Sequence, residues 1–504
     1  MTDWGGGYVT DIGYDPGYYR EQSPSQLRLA CLMSGVVWDV PDEGAHYLEL
    51  GCGLGLGAMV IAASNPSWRV TALDFNPAHI ASARAMARKA GISNVTFIEA
   101  DLTDFAESPV AAALPEADIV TAHGVWSWVA PPVRSGIVRL LQTKLRAGGV
   151  LHLSNNALPG WQGMIAVQRL VREAGSRLPL RSDQQAQAGI QVLRELYTAQ
   201  AKMLGVDART GNWLAEAGDL PPAYLAHEFM NAHWSPCWHS EVVAALSEAR
   251  MNWVSTATLI ENFNELAMTT PQRAVFDRFD DPLMRELIKD LCIGRTLRHD
   301  VFVRGARRVT AEMRDAAIRD LTLMLAVPVS KVRYEVDVAI GKAEFGADFY
   351  RPVIEMLAKG PARIADLLHA PGAVAERENP TELAGMLVGT RQALVVTRPG
   401  ATATPEANRL NALIADRVAV TENLNRVAAL ASVSLGAGMP CGVIDAYVAG
   451  RALAGESDGD IDAWTGVLAH GLNEENTASV RKAVEFGRNE MLGIIAQAGC
   501  VPAA

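Results

Sequence analysis

Tyr47-Leu48-Glu49-Leu50-Gly51-Cys52-Gly53-Leu54-Gly55-Leu56-Gly57 reads as a buried strand running into a glycine-dense loop and then a helix. Glycine lets the backbone turn sharply and approach a ligand closely, because no Cβ intervenes and positive φ carries no steric cost. The spacing argues against a nicotinamide dinucleotide. That loop prefers a third glycine three positions after the second, where this chain has Leu56 after Gly51/Gly53 and Ala58 after Gly53/Gly55.

Acidic residues frame the loop. Glu49 precedes the glycines, and Asp74 ends the next strand pattern, Arg69-Val70-Thr71-Ala72-Leu73-Asp74. Ligands of an open doubly wound sheet bind outside the carboxyl ends of the strands, so a carboxylate at the second strand end can accept hydrogen bonds from both hydroxyls of a ribose. One just ahead of the glycines can hold a cationic amino group. A third strand pattern, Asn94 to Ala100, ends at Asp101. Taken singly these acids are ordinary strand-end residues capping neighbouring helices; together around the loop they describe a cofactor site.

This set resembles the class I S-adenosylmethionine-dependent methyltransferases. The resemblance implies that Glu49, Gly51, Gly53, Gly55, Asp74, Phe75, Asp101, Leu102 and His123 hold the cofactor, with Asp101 reading the adenine amine. It also implies a Rossmann-like, doubly wound, mostly parallel α/β sheet, and five of its strands are legible through Ala117-Asp118-Ile119-Val120-Thr121-Ala122 and Gly149-Val150-Leu151-His152-Leu153. A helix is predicted between them, from Pro131 to about Leu145.

The rest of the chain is bounded by composition. At 504 residues, 49% hydrophobic and 20% charged, it is too long for one core, so two or three domains are expected. The reading is a cofactor-binding domain with an N-terminal lid over 1–175, a mainly helical unit over 176–308 and a C-terminal α+β unit over 309–504. Within the lid, Tyr14, Tyr18, Tyr19 and Pro24 precede an apolar helix from Gln26 to Val37. In the C-terminal unit, short helices at Pro352–Leu357 and Pro361–Leu368, each opened by its proline, precede a helix from about Pro380 to Thr390 and the strand Ala393–Thr397. That order resembles a winged helix in part. Its recognition-helix candidate, Thr381 to Leu387, has no Lys or Arg to meet phosphates, so protein contact is preferred over DNA.

A net charge of -11 argues against a dedicated nucleic-acid binder. The six cysteines form no Cys-x-x-Cys pair, which fits a reducing cytoplasm and points away from a zinc knuckle or disulfide framework. Met1 to Gly7 carries no secretory signal, and the charge-free run Val427–Ile444, broken by Ser, Gly and Pro440, would make a poor spanning helix. No membrane segment is expected. His227-Glu228, His233, Cys237 and His239 gather metal-type ligands, but no His follows His227 by one helical turn, so no metal is expected there.

Substrate is expected at the fourth and fifth strand ends, His123-Gly124-Val125-Trp126-Ser127-Trp128-Val129 and Ser154-Asn155-Asn156-Ala157-Leu158-Pro159-Gly160-Trp161. Trp126, Trp128, Asn155, Asn156 and Trp161 would shape an acceptor slot, and His123 would take a proton, with Tyr18 and Tyr19 relaying it. The competing reading makes Trp126 and Trp128 core anchors and His123 a strand-end group bonded to a carbonyl. These segments, with Tyr224 to Asn231, Trp234-Ser235-Pro236 and Arg298 to Gly305, resemble bacterial methyltransferases carrying a regulatory domain, a group that includes rickettsial protein-lysine methyltransferases. The likeness spans roughly residues 10–305. Trp126 stands where Tyr is usual and Asn155 where a Tyr is expected, so substrate identity does not carry over with the rest. The expectation is methyl transfer to a protein side chain, lysine first. The runner-up readings are a small-molecule N- or O-methyltransferase and a cofactor-binding regulator without turnover. The helical and C-terminal units would dock substrate or make a homodimer.

Overall fold

The computed structural model describes residues 4–13, 17–38, 40–204, 208–216, 220–373, 377–418, 427–456, 459–470 and 472–502; Tyr14 of the lid lies outside them. The central sheet has seven strands: β1 His46–Leu50, β2 Arg69–Asp74, β3 Val95–Glu99, β4 Ala117–Ala122, β5 Leu145–Asn156, β6 Met251–Thr256 and β7 Leu297–Arg304. Their order is β3-β2-β1-β4-β5-β7-β6. The first five are parallel, and β7 runs antiparallel between β5 and β6. The order reverses at β1 and β4, which places a ligand crevice at their carboxyl ends.

Side chains alternate across the pleat, so each strand feeds two cores. Tyr47, Val70, Ile119 and Val150 enter one face, while Leu48, Leu50, Val120, Leu151 and Phe302 enter the other. Both faces are covered, which is why the strands read as near-continuous apolar runs. The helix after the glycine loop, Leu56–Ser64, buries every residue from Gly57 onward. The lid helix spans Pro24–Met33, starting two residues earlier and ending four earlier than expected, because Ser23 caps it and Pro24 fits its first turn.

The 176–308 stretch is mainly helical and also supplies β6 and β7. These strands are fastened by a buried ion network. Arg298 on β7 meets Glu286, Asp290 and Asp300, and Arg295 meets Glu261, Glu286 and Asp290. Asp300 also accepts hydrogen bonds from His239 at 3.2 Å and from the Trp253 indole at 2.9 Å.

Beyond β7 come β8 Thr322–Leu325, the hairpin β9 Glu335–Val338 and β10 Gly341–Glu344, then β11 Ala362–Arg363 and β12 Ala393–Val396. β8 is the centre of a three-stranded antiparallel sheet flanked by β11 and β12, with helices Ala347–Leu357, Ile364–Leu367 and Pro380–Gly389. This is the winged-helix-like part. Pro352 does not open its helix, as expected from sequence, but lies inside it, the amphipathic run from Phe349 to Leu357 carrying the helix through.

A last hairpin, β13 Val427–Ser432 and β14 Ala437–Gly442, comes from the run read as a poor membrane span. It returns to the helix behind the glycine loop: Ser64 donates to the Ala437 carbonyl, Asn65 to the Gly436 carbonyl, and Arg398 to Asn65. Among the described residues no helix is long and apolar enough to cross a membrane.

Candidate functional site

The glycine loop is built as its sequence demands. Gly51, Gly53 and Gly55 have φ of 69°, 53° and 74°, all left-handed. A Cβ on Gly51 would sit 2.5 Å from Val125, and one on Gly55 would sit 2.5 Å from Phe97 and 2.8 Å from Ala83. Only glycine satisfies both constraints. The loop is tied to β2, where the Asp74 carboxylate accepts from the Gly53 amide at 2.8 Å and the Asn76 amide at 2.9 Å and meets His79 at 3.2 Å.

Glu49 is buried beneath the loop, beside the first turn of the Leu56–Ser64 helix, and its Oε2 has no hydrogen-bond partner. Burial pushes this carboxyl up to about 8; hydrogen bonds from the Ala58 amide and Gln22 oppose that rise, and nearby Asp74 reinforces it. A buried acid with an unpartnered oxygen and a second carboxyl, Asp74, nearby fits a cationic partner. Along the rim, Phe75 packs against Tyr8 with ring centroids 5.0 Å apart and against Trp4 at 6.1 Å. Asp101 is exposed, its carboxylate accepting from the Thr103 amide, and Leu102 is buried beside it.

His123 follows the end of β4, and the Tyr19 ring stacks on it at 3.6 Å. The N-terminal segment therefore reaches the carboxyl end of β4. His152 on β5 and His299 on β7 complete a cluster with His123. Centroid separations are 5.4 Å between His123 and His299, 5.5 Å between His152 and His299, and 6.1 Å between His123 and His152. All three imidazoles are held neutral: burial is the main cause, and for His123 and His152 the neighbouring histidines add to it.

The sequence-predicted residues divide. Tyr19, His123, Glu49, Asp74 and the glycines converge on the crevice. Tyr18 is turned to the C-terminal unit, where its hydroxyl accepts from the Gly438 amide at 2.9 Å and burial drives its ionisation far up; a relay role is replaced by an anchoring one. Trp126 is 3% exposed within the core on the far face of the sheet, among Phe105, Ile137, Val138 and Cys237, so it packs rather than lines the slot. Strand alternation also separates Asn155, which is paired with Arg298, from Asn156, on the His152 side. Trp128, Trp234 and Trp161 form an aromatic run, with centroids 6.3 Å and 5.4 Å apart along it, and the Trp161 indole donates to the Thr296 carbonyl.

Sequence reasoning missed two groups. His152 and His299 were visible as histidines inside apolar strands, but their meeting depends on β7 pairing beside β5, which no local pattern announces. Tyr224 and Glu228 lie one turn apart on the helix Pro222–Met230, and Tyr224 is close enough to both Glu228 and Tyr19 for their charges to interact. Burial pushes the Glu228 carboxyl up to about 7. The His227–His239 constellation is not assembled: His233 bonds the Gly6 carbonyl and His239 bonds Asp300.

Residues 41–175 match the family described as a methyltransferase domain, and residues 221–304 match the predicted methyltransferase regulatory domain. The chain is 29% identical over 366 residues to the uncharacterized protein sll1526 of Synechocystis, covering 72% of this chain and 71% of that one. To the uncharacterized protein RP789 of Rickettsia prowazekii it is 25% identical over 235 residues, 44% of this chain and 41% of that one. Among solved structures it is similar to PKMT2 from Rickettsia typhi in complex with AdoHcy, with a TM-score of 0.67 at 16% identity, covering 94% of this chain and 99% of that chain.

Proposed function

Because this chain is a class I S-adenosylmethionine-dependent methyltransferase with a regulatory domain, we propose that it transfers the methyl group to a protein side chain, the amine of a lysine. The observation that carries the reading is the composition of the acceptor side. An aromatic wall of Tyr19 stacked on His123 stands near Tyr224 and Glu228 of the regulatory segment. Apolar rings with an enclosed carboxylate suit a long aliphatic stem ending in a cation.

Glu49 would receive the cofactor's amino group, Asp74 its ribose hydroxyls, Asp101 and Leu102 its adenine, and Phe75 would cover the ring. The cofactor brings a sulfonium methyl, and in-line displacement asks the protein mainly for alignment of nucleophile and methyl. A lysine must arrive unprotonated. The Glu228 carboxylate can take its proton, burial having brought that group up to about 7, whereas burial and the neighbouring histidines disfavour a proton on His123; the aromatic wall lowers the amine's own affinity for that proton by desolvation. Lid residues Tyr8 and Tyr19 exclude water from the transfer.

The test is incubation of the full chain with methyl-labelled cofactor and lysate proteins and metabolites, comparing wild type with Asp74→Ala. Label in protein, mapped to lysine and lost in the variant, is the expected result. Label confined to small molecules would overturn it.

A further inference from the structure

We propose that His123, His152 and His299 form a binding site for one late first-row divalent ion, with Zn2+ as the representative. The three side chains lie on one face of the sheet by register. β4 and β5 pair Thr121 with His152, β5 and β7 pair Ser154 with His299, and the Ser154 hydroxyl accepts from the Gly124 amide next to His123. One nitrogen from each ring falls within 4.8 Å of the other two.

The three nearly parallel rings sit at the corners of a triangle and not in one column. Centroid separations of 5.4, 5.5 and 6.1 Å make a nearly equilateral triangle, with ring planes within 20° of one another. Three imidazoles sharing an ion at bond lengths of about 2.0–2.1 Å have centroids roughly 5–5.5 Å apart and ligating nitrogens roughly 3.3–3.5 Å apart. His152 Nε2 and His299 Nδ1 are already 3.3 Å apart, so adjustment falls mainly to His123 at the strand end.

The cluster is also short of hydrogen-bond partners. The Nδ1 of His123 is buried and unpartnered, which is uncommon for a buried polar group and is relieved when that nitrogen ligates. Donors of this kind suit Zn2+, Cu2+ or Ni2+ and exclude Mg2+ and Ca2+, which require oxygen. The carboxylates near His299 are Glu21, Glu261 and Asp300, and each already meets an arginine, Arg391 at 3.9 Å, Arg295 at 2.8 Å and Arg298 at 2.8 Å. They temper the ion's charge without entering the donor set. A tetrahedral ion held by three protein ligands keeps one position open. With His123 engaged, Glu228 remains to accept the amine proton.

The test uses the full-length chain, freed of metal by chelator and titrated with Zn2+ by calorimetry and with Co2+ by visible absorption. Wild type should bind one equivalent, with the d–d bands of tetrahedral Co2+. His152→Ala and His299→Gln should each weaken binding at least tenfold, while His233→Ala, whose ring bonds Gly6 outside the cluster, should leave it unchanged. Absence of one-equivalent binding to wild type would overturn the site, as would binding undiminished in both cluster variants. Should the variants fail to fold, X-ray absorption of the Zn2+-loaded wild type decides: three imidazole scatterers support the site, and a sulfur-rich shell overturns it. None of these readouts depends on methyl transfer, so failure here leaves the proposed function standing.

Discussion

Glu49 is where burial and function meet in a single side chain. Its carboxyl titrates near 8 in the folded protein against an ordinary value of 4.5. The unfolded chain gives up this proton first, so the group costs stability progressively as pH rises from 4.5 to 8. A cation placed against it reverses the preference. Cofactor affinity is therefore expected to tighten between pH 6 and pH 8, with about one proton released on binding at the lower pH; calorimetry in buffers of different ionisation enthalpy measures that proton directly. Glu49→Gln should abolish the pH dependence and weaken binding by roughly tenfold or more, the loss of a charge-assisted contact. Affinity that is flat across this range in the wild type would rule out Glu49 as the receiving group. Gly55→Ala makes a second expectation at this scale. Its φ of 74° and the 2.5 Å approach to Phe97 leave a methyl nowhere to go, so denaturant titration should show a loss of about 1–3 kcal/mol.

At the scale of elements, β7 has the most to hold together. Arg298 is 1% exposed and lies among three carboxylates. Removing it in Arg298→Met strands those charges, with an expected cost of about 3–5 kcal/mol in urea unfolding; a cost below about 1 kcal/mol would show the network to be idle. Arg298, together with His239, holds the Asp300 carboxyl far below the usual carboxylate range against its burial. That contribution is complete above the unfolded value of about 3.9 and fades as pH falls further, so thermal melts should show a steep loss of stability from pH 4 to pH 2 that Asp300→Asn flattens. The elements also mark where sequence stops being informative. β1 to β5 were legible because strand patterns alternate with helical ones and glycines mark the crossing point. β6 and β7 were not, because helical patterns fill the stretch between β5 and β6 and antiparallel insertion beside β5 is a tertiary choice. The same choice created the histidine cluster. Trp126 misled for a local reason: after Gly124, at φ 63°, the chain turns and sends this aromatic residue to the opposite core, whereas Tyr19 arrives at the acceptor side from the other end of the sequence.

Across the whole molecule, the C-terminal unit and the cofactor loop share a boundary. The Leu56–Ser64 helix presents the loop at one end and the contacts of Ser64 and Asn65 with β14 and Arg398 at the other, and Tyr18 links the lid to Gly438. Ordering the loop should therefore be felt in the hairpin. Hydrogen exchange with and without S-adenosylhomocysteine is expected to slow in β13 and β14 as well as in residues 51–64, and Arg398→Ala should uncouple the two while costing about 1–2 kcal/mol in stability. Protection confined to the loop would show that the hairpin is only a scaffold.

The place of β7 between β5 and β6 also governs how the chain is made. During synthesis β5 emerges with one edge bare, and it stays bare while the whole helical stretch is being translated, until Leu297–Arg304 arrives to cover it. A nascent chain halted anywhere in that interval presents a twelve-residue edge strand open to pairing with its neighbours. Fragments cut between the two family regions, however natural that boundary looks, would be expected to express as aggregates, and the shortest well-behaved fragment of the catalytic half would have to run past Arg304.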